Sequence, residues 1–444
     1  MKIIIVGAGD VGSHLAKLLS NEEQDILVID QNSAKIDILD ANYNLMTMAG
    51  SPTTFKTLRE AGVGTCDLFI AVTPYETDNV TACSIAKRLG AKRTVGRIDS
   101  YDYMDPRNAA LIKEMGVDSL IYPEYVAAQE IISALNRSWV RNWFELHDGE
   151  IIVVGVKLRA NAPLAGMQLK EFASSQHNFH VSAIRRNHEI IIPRGDDRMM
   201  VGDILYFTTT RDYVDELVSL CGKKEYKIRR VMIMGGGKIA IRLARMAADK
   251  FKMKIIEADI DVCRRLPELC PDVEIVHGDA RNIDVLVDEG IDETDAFIAL
   301  SDSSEANILA CLTAKELEVK KTIAEVENMH FISQAENLNI GTIINKKLLA
   351  SSKIFQLLLD SDASTSRCLA LADAEVAEIE ARPGSKITKA PVKDLRLARE
   401  MTIAGLVREG KGMLVTGNTV IRPGDFVVVF CLSGMLHKVE KLFT

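Results

Sequence analysis

The chain has 444 residues, 47% of them hydrophobic and 26% charged, a composition with material for several globular cores and too little bias for a disordered or fibrous chain. Its net charge of −8 excludes the broad basic surface that a nucleic-acid partner requires. No apolar run approaches the roughly 20 residues of a membrane span, and the eight cysteines, with no CxxC and no Cys/His ligand spacing, read as reduced, mostly buried thiols.

The first apolar run, Ile3 to Val6, is too short for a secretory signal and has neither a basic flank nor a cleavage site. It reads as a strand buried on both faces of a parallel sheet. It leads straight into Gly7-Ala8-Gly9-Asp10-Val11-Gly12, and a helical pattern follows with Val11, Leu15, Leu18 and Leu19 on one side. A second run, Ile26 to Ile29, ends in Asp30. Strand, glycine turn, helix, strand and acid are the parts of a Rossmann unit. Gly7 makes the tight turn, Gly9 lets a pyrophosphate approach the backbone, and Gly12 lets the helix close on the sheet. The N–H groups at the helix start attract phosphates. Asp30 accepts ribose hydroxyls and repels a 2′-phosphate, which favours NAD over NADP. A third strand ends at Gly50. A fourth, Leu68–Val72, ends in Thr73 at the carboxyl edge, where open α/β sheets bind ligands.

Residues 151–158 and 203–209 are β-like and flank PRGDDRMMVGD, which marks a small α+β module. The basic runs at 137–141 and 223–230 read as connectors. Then the opening phrase returns: RVMIMGGGKIA (230–240) repeats KIIIVGAGDVG (2–12), displaced by 228 residues. At that displacement Gly7 falls on Gly235, Gly9 on Gly237, Gly50 on Gly278, Asp67 on Asp295 and Asn79 on Asn307, while Thr73 falls on Ser301. GNTVIRPGDFVVVF near the end answers GDDRMMVGDILYF, with Gly424-Asp425 on Gly202-Asp203. Self-similarity of this kind means two copies of one structural unit. The expected fold class is α/β, with two Rossmann-type parallel-sheet domains, each followed by a small α+β domain. The expected boundaries are 1–123 and 141–222 in the first copy, joined by a crossover helix at 124–140. In the second they are 223–345 and 364–444, joined by a crossover helix at 346–363.

The second copy is not identical. Gap-free alignment sets Ala258 opposite Asp30, with Glu257 and Asp259 on either side. The strand pattern KIIE favours Glu257 as the ribose acid, with Asp259 the alternative.

The segments VGAGDVG, VID and AVTPYETDN, answered by MGGGKIA, IIEAD, HGDA and ALSDSSEAN, resemble the TrkA family of tandem RCK (KTN) nucleotide-binding regulatory subunits, over the whole chain. The resemblance implies a protein on the inner face of the cell membrane, held there through an integral-membrane potassium-transporter subunit and not inserted itself. It implies a homo-oligomeric ring, dimer or tetramer, biased by NAD, NADH, ATP or ADP at either site. Carried over by position, the first site comprises Gly7, Ala8, Gly9, Asp10, Val11, Asp30, Thr73 and Arg97. The second comprises Gly235, Gly236, Gly237, Lys238, Ile239, Glu257, Asp279 and Ser301. Where the family commonly has Gly-Asp after the third strand, the first copy has Gly50-Ser51 and the second keeps Gly278-Asp279. Arg97 is answered by Glu325, so the first site is expected to hold the more highly charged ligand.

An enzyme reading would make the chain an NAD-dependent oxidoreductase. That chemistry needs a general acid or base near the nicotinamide, and none of the eight histidines sits in a catalytic phrase. No catalytic and no metal-ligating residue is therefore assigned. His177 and His180 have ligand spacing, but no carboxylate or cysteine cluster completes a site. The Walker pattern of phosphoryl transfer is absent as well. The sequence favours a binding module.

Overall fold

The computed structural model describes residues 1–20, 24–175, 178–187, 189–359, 367–371 and 374–443. Its strands fall into four sheets that repeat one plan twice. The first sheet holds β1 (Lys2–Val6), β2 (Asp25–Asp30), β3 (Met46–Ala49), β4 (Leu68–Ala71), β5 (Arg93–Arg97) and β6 (Ser119–Ile121), all parallel, in the order β3-β2-β1-β4-β5-β6. An antiparallel sheet of β7 (Asn142–Leu146), β8 (Ile151–Lys157), β9 (His180–Arg186), β10 (Glu189–Ile191) and β11 (Ile204–Thr209) follows, ordered β10-β9-β11-β8-β7. The second parallel sheet holds β12 (Arg230–Met234), β13 (Lys252–Glu257), β14 (Glu274–His277), β15 (Ala296–Ala299), β16 (Lys321–Glu325) and β17 (Thr342–Ile344), ordered β14-β13-β12-β15-β16-β17. The last antiparallel sheet holds β18 (Arg367–Leu371), β19 (Ala374–Glu380), β20 (Met401–Arg408), β21 (Lys411–Leu414) and β22 (Phe426–Leu432), ordered β18-β19-β22-β20-β21.

The chain divides into two compact units. Residues 1–135 with 228–355 form one, and residues 136–227 with 356–444 form the other. The first unit holds both parallel sheets. Ile3, Ile4, Ile5, Val6, Phe69 and Ile70 are all buried, as a central strand covered by helices on both faces demands. Ile233, Phe297 and Ile298 repeat this in the second sheet. The helices expected as linkers, Pro123–Asn136 and Lys346–Leu359, lie mostly within this unit, because their small and apolar faces, including Ala127, Ala128, Ile131, Ala350 and Ile354, are buried. In both sheets strand order reverses beside the first strand. That reversal opens the crevice at the carboxyl edge where such folds take ligands.

In the second unit the repeated Gly-Asp has a structural explanation. Gly202 and Gly424 turn the chain at φ 98° and 86°, where a side chain would be strained. The next residue, Asp203 or Asp425, is 2% exposed in each module. Asp203 accepts from Arg186 Nε at 2.8 Å, from its Nη2 at 2.7 Å and from the Met200 N–H at 2.7 Å. Asp425 accepts from Arg408 at 2.8 and 2.6 Å and from the Arg422 N–H at 2.7 Å. The carboxylate thus ties the loop before β11 or β22 to the end of β9 or β20. Asp203→Asn keeps the shape and removes the charge, so the charge-assisted part of these bonds is lost. The expected outcome is a loss of about 2 kcal/mol in a denaturant titration, with the fold of the first unit unchanged.

Cys66, Cys83, Cys221, Cys263, Cys270, Cys311 and Cys431 are buried, as core thiols should be. Among the described residues, no helix is long and apolar enough to cross a membrane.

Candidate functional site

Each parallel sheet carries a glycine loop between its first strand and the helix that follows. Gly7 adopts φ 102° and Gly235 φ 95°. The Gly7 N–H donates to Ile29 O at 2.8 Å and the Gly235 N–H to Ile256 O at 2.9 Å. A Cβ on Gly7 would stand 3.0 Å from the Thr73 nitrogen, and one on Gly235 would stand 2.9 Å from Leu300 O. The turn must therefore be glycine in both copies. Gly9 differs: a Cβ there meets nothing within 4 Å, so its bareness serves no internal contact and leaves space in front of the loop. A Cβ on Gly237 comes no closer than 4.0 Å to Leu300 O. Gly12 is the packing glycine, with its Cβ position only 1.8 Å from Gly7 O. Val11 and Ile239 are buried, so these residues can offer a ligand only their backbone N–H groups; Ala8 is buried too, and its N–H is turned to Asp30. The helices Asp10–Ser20 and Lys238–Ala247 begin here, and first-turn N–H groups have no partner within a helix.

The acid after the second strand is built into the loop. Asp30 Oδ2 accepts from the Ala8 N–H at 2.6 Å, and its Oδ1 accepts from the Asn32 N–H at 2.8 Å. In the second copy Glu257 Oε2 accepts from the Gly236 N–H at 2.6 Å and its Oε1 from the Asp259 N–H at 2.8 Å. Glu257 is thus the geometric counterpart of Asp30. Asp259 does other work: it caps the next helix, accepting from the N–H groups of Asp261 and Val262, as Asn32 caps its own.

At the far side of each crevice, Thr73 and Ser301 are held by a buried asparagine. The Thr73 N–H and hydroxyl donate to Asn79 Oδ1 at 2.9 and 2.8 Å, while Asn79 Nδ2 donates to Thr73 O and Arg97 O, both at 2.9 Å. Asn307 repeats every bond with Ser301 and Glu325 O, at 2.6 to 3.0 Å. The two asparagines lock the ends of β4 and β5, and of β15 and β16, at one height. The shortest bonds of the Thr73 and Ser301 hydroxyls thus go to Asn79 and Asn307, and the Thr73 oxygen also accepts from the Tyr75 N–H at 3.3 Å. Arg97 stands at the same edge, and its guanidinium has no hydrogen-bond or ion-pair partner among the described residues.

A cavity of about 660 Å³ opens over the second loop, lined by Gly235, Gly237, Glu257, Asp279 and Ser301 among others, a size suited to a nucleotide. Two cations that the sequence reading did not select also line it, Arg265 and Arg281. Arg281 donates from Nε and Nη2 to Asp279 at 2.7 to 3.1 Å, which holds the Asp279 carboxyl below its ordinary pKa. Arg281 could have been noticed two residues beyond Asp279; Arg265 has no local signal. Lys238 lines the cavity too, but its ammonium donates to Asp99 of the first half at 2.5 Å. Its contribution to the second loop is its backbone.

Glu325 does not line that cavity. Its side chain is 6% exposed and turned toward Lys346, whose ammonium lies 3.4 Å from Oε1. Burial drives its pKa up to about 7, with Lys346 opposing. The expectation that Glu325 repels a charged ligand from the second site loses its basis here, since the carboxyl faces a lysine inside the protein.

Of the metal-spaced histidines, His177 lies outside the described residues. His180 is half-buried, and desolvation lowers its pKa to about 4. Among the described residues no group of three His, Cys, Asp or Glu side chains is placed to hold a metal ion.

These two loops fall inside regions that match a known family. The TrkA-N domain model matches residues 3–123 and 231–346, and the TrkA-C domain model matches 153–222 and 376–444. The "Trk system potassium uptake protein TrkA" of Azorhizobium caulinodans is 28% identical, with 100% of this chain and 98% of that protein covered. The protein of the same name from Halomonas elongata is 29% identical over 100% of this chain and 98% of its own length. Among solved structures, "GsuK channel bound to NAD" superposes with a TM-score of 0.61 at 16% identity, covering 100% of this chain and 78% of that one; at that identity the likeness speaks for the fold.

Proposed function

Since the chain belongs to the TrkA family, carrying TrkA-N and TrkA-C domains twice in tandem, we propose that it is the nucleotide-binding regulator of a potassium uptake system. The observation that carries this reading is the pair of glycine loops, each closed by an acid from the next strand and each left open in front. Gly7, Ala8, Gly9, Asp10 and Val11 cradle the phosphates of one nucleotide, with Asp30 on the ribose and Arg97 on the phosphate side. Gly235, Gly236, Gly237, Lys238 and Ile239 cradle the other, with Glu257 on the ribose and Asp279 with Arg281 at the rim. NAD or NADH fits both acids, and ATP or ADP fits the cations. Nucleotide binding then shifts the balance between conformations of a homo-oligomeric ring, a dimer or a tetramer. The ring acts on an integral-membrane potassium-transporter subunit, and the chain sits at the cytoplasmic face of the cell membrane through that subunit.

The supporting chemistry is one of binding. Beside Asp302, which is exposed to solvent, the carboxylates that line the second cavity are engaged as fixed acceptors: Glu257 by backbone N–H groups, Asp279 by Arg281, Asp259 by a helix start. A dehydrogenase needs a proton donor or acceptor poised near working pH, and these groups are committed to holding the loops. The expected result is binding without turnover. A nucleotide at 100 times its dissociation constant adds about 2.7 kcal/mol of apparent stability, read as a rise in melting temperature with NAD, NADH, ATP or ADP. NADH absorbance stays constant on addition of metabolites, and potassium uptake falls when the gene is deleted. A protein that melts at the same temperature with every nucleotide, or that oxidises NADH steadily, refutes the proposal.

A further inference from the structure

Within the unit that holds both parallel sheets, the two halves meet beside the helices Pro123–Asn136 and Lys346–Leu359, and corresponding positions there carry exchanged charges. The 228-residue displacement sets Asp10 on Lys238, Arg97 on Glu325 and Asp99 on Glu327. The two helices begin at Pro123 and Lys346, so Glu124 falls on Lys347. The bonds run from one half to the other. Lys347 donates to Asp10 Oδ2 of the first half at 2.6 Å and to its own half's Glu327 at 3.0 Å. Lys238 donates to Asp99 of the first half at 2.5 Å. Lys346 stands 2.5 Å from Glu327, 3.4 Å from Glu325 and 4.0 Å from Glu124 of the first half. Glu124 is 4% exposed and its Oε2 has no hydrogen-bond partner. One helical turn further the same exchange occurs without charge pairing. His14 Nδ1 meets Ser351 Oγ at 2.7 Å, while Arg242, its counterpart, stacks over Tyr101 at 3.7 Å.

Two like halves could not reproduce these contacts. If a first half met a first half through this face, Asp10 would oppose Glu124 and Asp99, where the chain now places Lys347 and Lys238. If a second half met a second half, Lys238 would oppose Lys347 and would keep only one favourable contact, with Glu327, the counterpart of Asp99. Like charges so placed disfavour the wrong pairing more strongly where they are partly desolvated, as around Glu124 and Lys346. We propose that this exchange of charges is a pairing code, which restricts the face beside the two helices to unlike halves. Each glycine loop is then set beside the other half of the chain, and further copies must join through other surfaces.

The test uses the full chain, free of nucleotide, at low salt. Lys238→Asp places a carboxylate against Asp99, and Asp99→Lys places an ammonium against Lys238. Each alone is expected to lower the thermal midpoint and to shift the mass, by light scattering, toward larger species. The two together restore both readings. Asp10→Lys, without and with Lys347→Asp, repeats the exchange at the second pair and serves if variants of the first fold poorly. A third arm separates a pairing code from an isolated ion pair. The Asp10→Lys/Asp99→Lys chain has a first half complementary to an unaltered first half, so co-expression with the unaltered chain should recover the midpoint that it lacks alone. Single variants that match the unaltered chain, exchanged doubles no better than the singles, or a co-expressed mixture that keeps the lower transition would each overturn the proposal.

Discussion

Gly9→Asp is expected to abolish nucleotide binding at the first loop while leaving the protein folded, and Gly237→Asp to do the same at the second. The reason lies in the difference between the glycines of one loop. A side chain on Gly7 or Gly12 collides with backbone, at 3.0 Å and 1.8 Å, so changing either confuses loss of binding with loss of fold. Gly9 and Gly237 face open space. Gly237 has φ −70° and Gly9 is not among the positive-φ glycines, so a β-carbon is tolerated there. The aspartate fills the volume where a pyrophosphate would lie and sets a negative charge against it. A loss of about 100-fold or more in affinity, roughly 2.7 kcal/mol, is expected at the altered loop. Isothermal titration of each variant with NADH and with ATP then reads the remaining loop alone. If each variant keeps the full stoichiometry of the unaltered chain, the loops are not the sites. The comparison also ranks the two sites. Arg97 stands at the edge of the first, while Arg265 and Arg281 line the second, so a cation is at hand in both and the expected ligand order has to come from the rim and the base end.

The glycine loops, the tandem plan and the two acids were legible because each rests on local chemistry. A glycine turn, an apolar strand and a terminal carboxylate lie within about thirty residues of one another. The one ambiguity was an alignment slip. Matching at 228 residues put Ala258 opposite Asp30, but β2 and β13 end at Asp30 and Glu257, one residue short of that displacement. The hydrogen bond to the loop's middle N–H, and not the alignment, identifies the counterpart. The hydroxyls of Thr73 and Ser301 were read correctly as edge residues, yet their shortest bonds go to Asn79 and Asn307. Both asparagines stood in the repeat, without a local pattern to say what they bind. The charges around Lys346 were illegible for a different reason. Glu124, Glu325 and Lys346 come together only when two halves more than two hundred residues apart pack on each other. Opposing Glu325 to Arg97 by displacement identified the right pair of positions and the wrong surroundings.

Those surroundings set the last expectation, a loss of stability as pH rises toward neutrality that traces to Glu325. The carboxyl is 6% exposed, and burial lifts its pKa from 4.5 to about 7 against the opposing pull of Lys346. Its Oε1 lies 3.4 Å from the Lys346 ammonium but accepts no hydrogen bond, and that ammonium stands closer to Glu327, at 2.5 Å. The lysine is thus shared, and Glu325 gets the smaller part. A folded-state pKa above the unfolded one means that the native protein binds this proton more tightly. The resulting stabilisation is complete below about pH 4.5, declines as pH rises, and is gone above about pH 7. The gap between the two values corresponds to something on the order of 3 kcal/mol. Glu325→Gln keeps the side-chain shape and cannot ionise, so its stability curve should lack this decline. Glu327 titrates in the opposite sense, its pKa being lowered by Lys346 and Lys347 against the cost of burial, and its contribution is lost only as pH falls through the acid range. Subtracting the denaturant-derived stability of the variant from that of the unaltered chain, point by point from pH 4 to pH 8.5, removes the groups that do not touch Glu325, and confines any change in Glu327, which shares Lys346 with it, to the acid end. A difference curve that falls across the interval from about pH 4.5 to pH 7 is the expected result. A flat one would mean that Lys346 neutralises Glu325 fully, and that the ionised carboxylate costs the fold nothing.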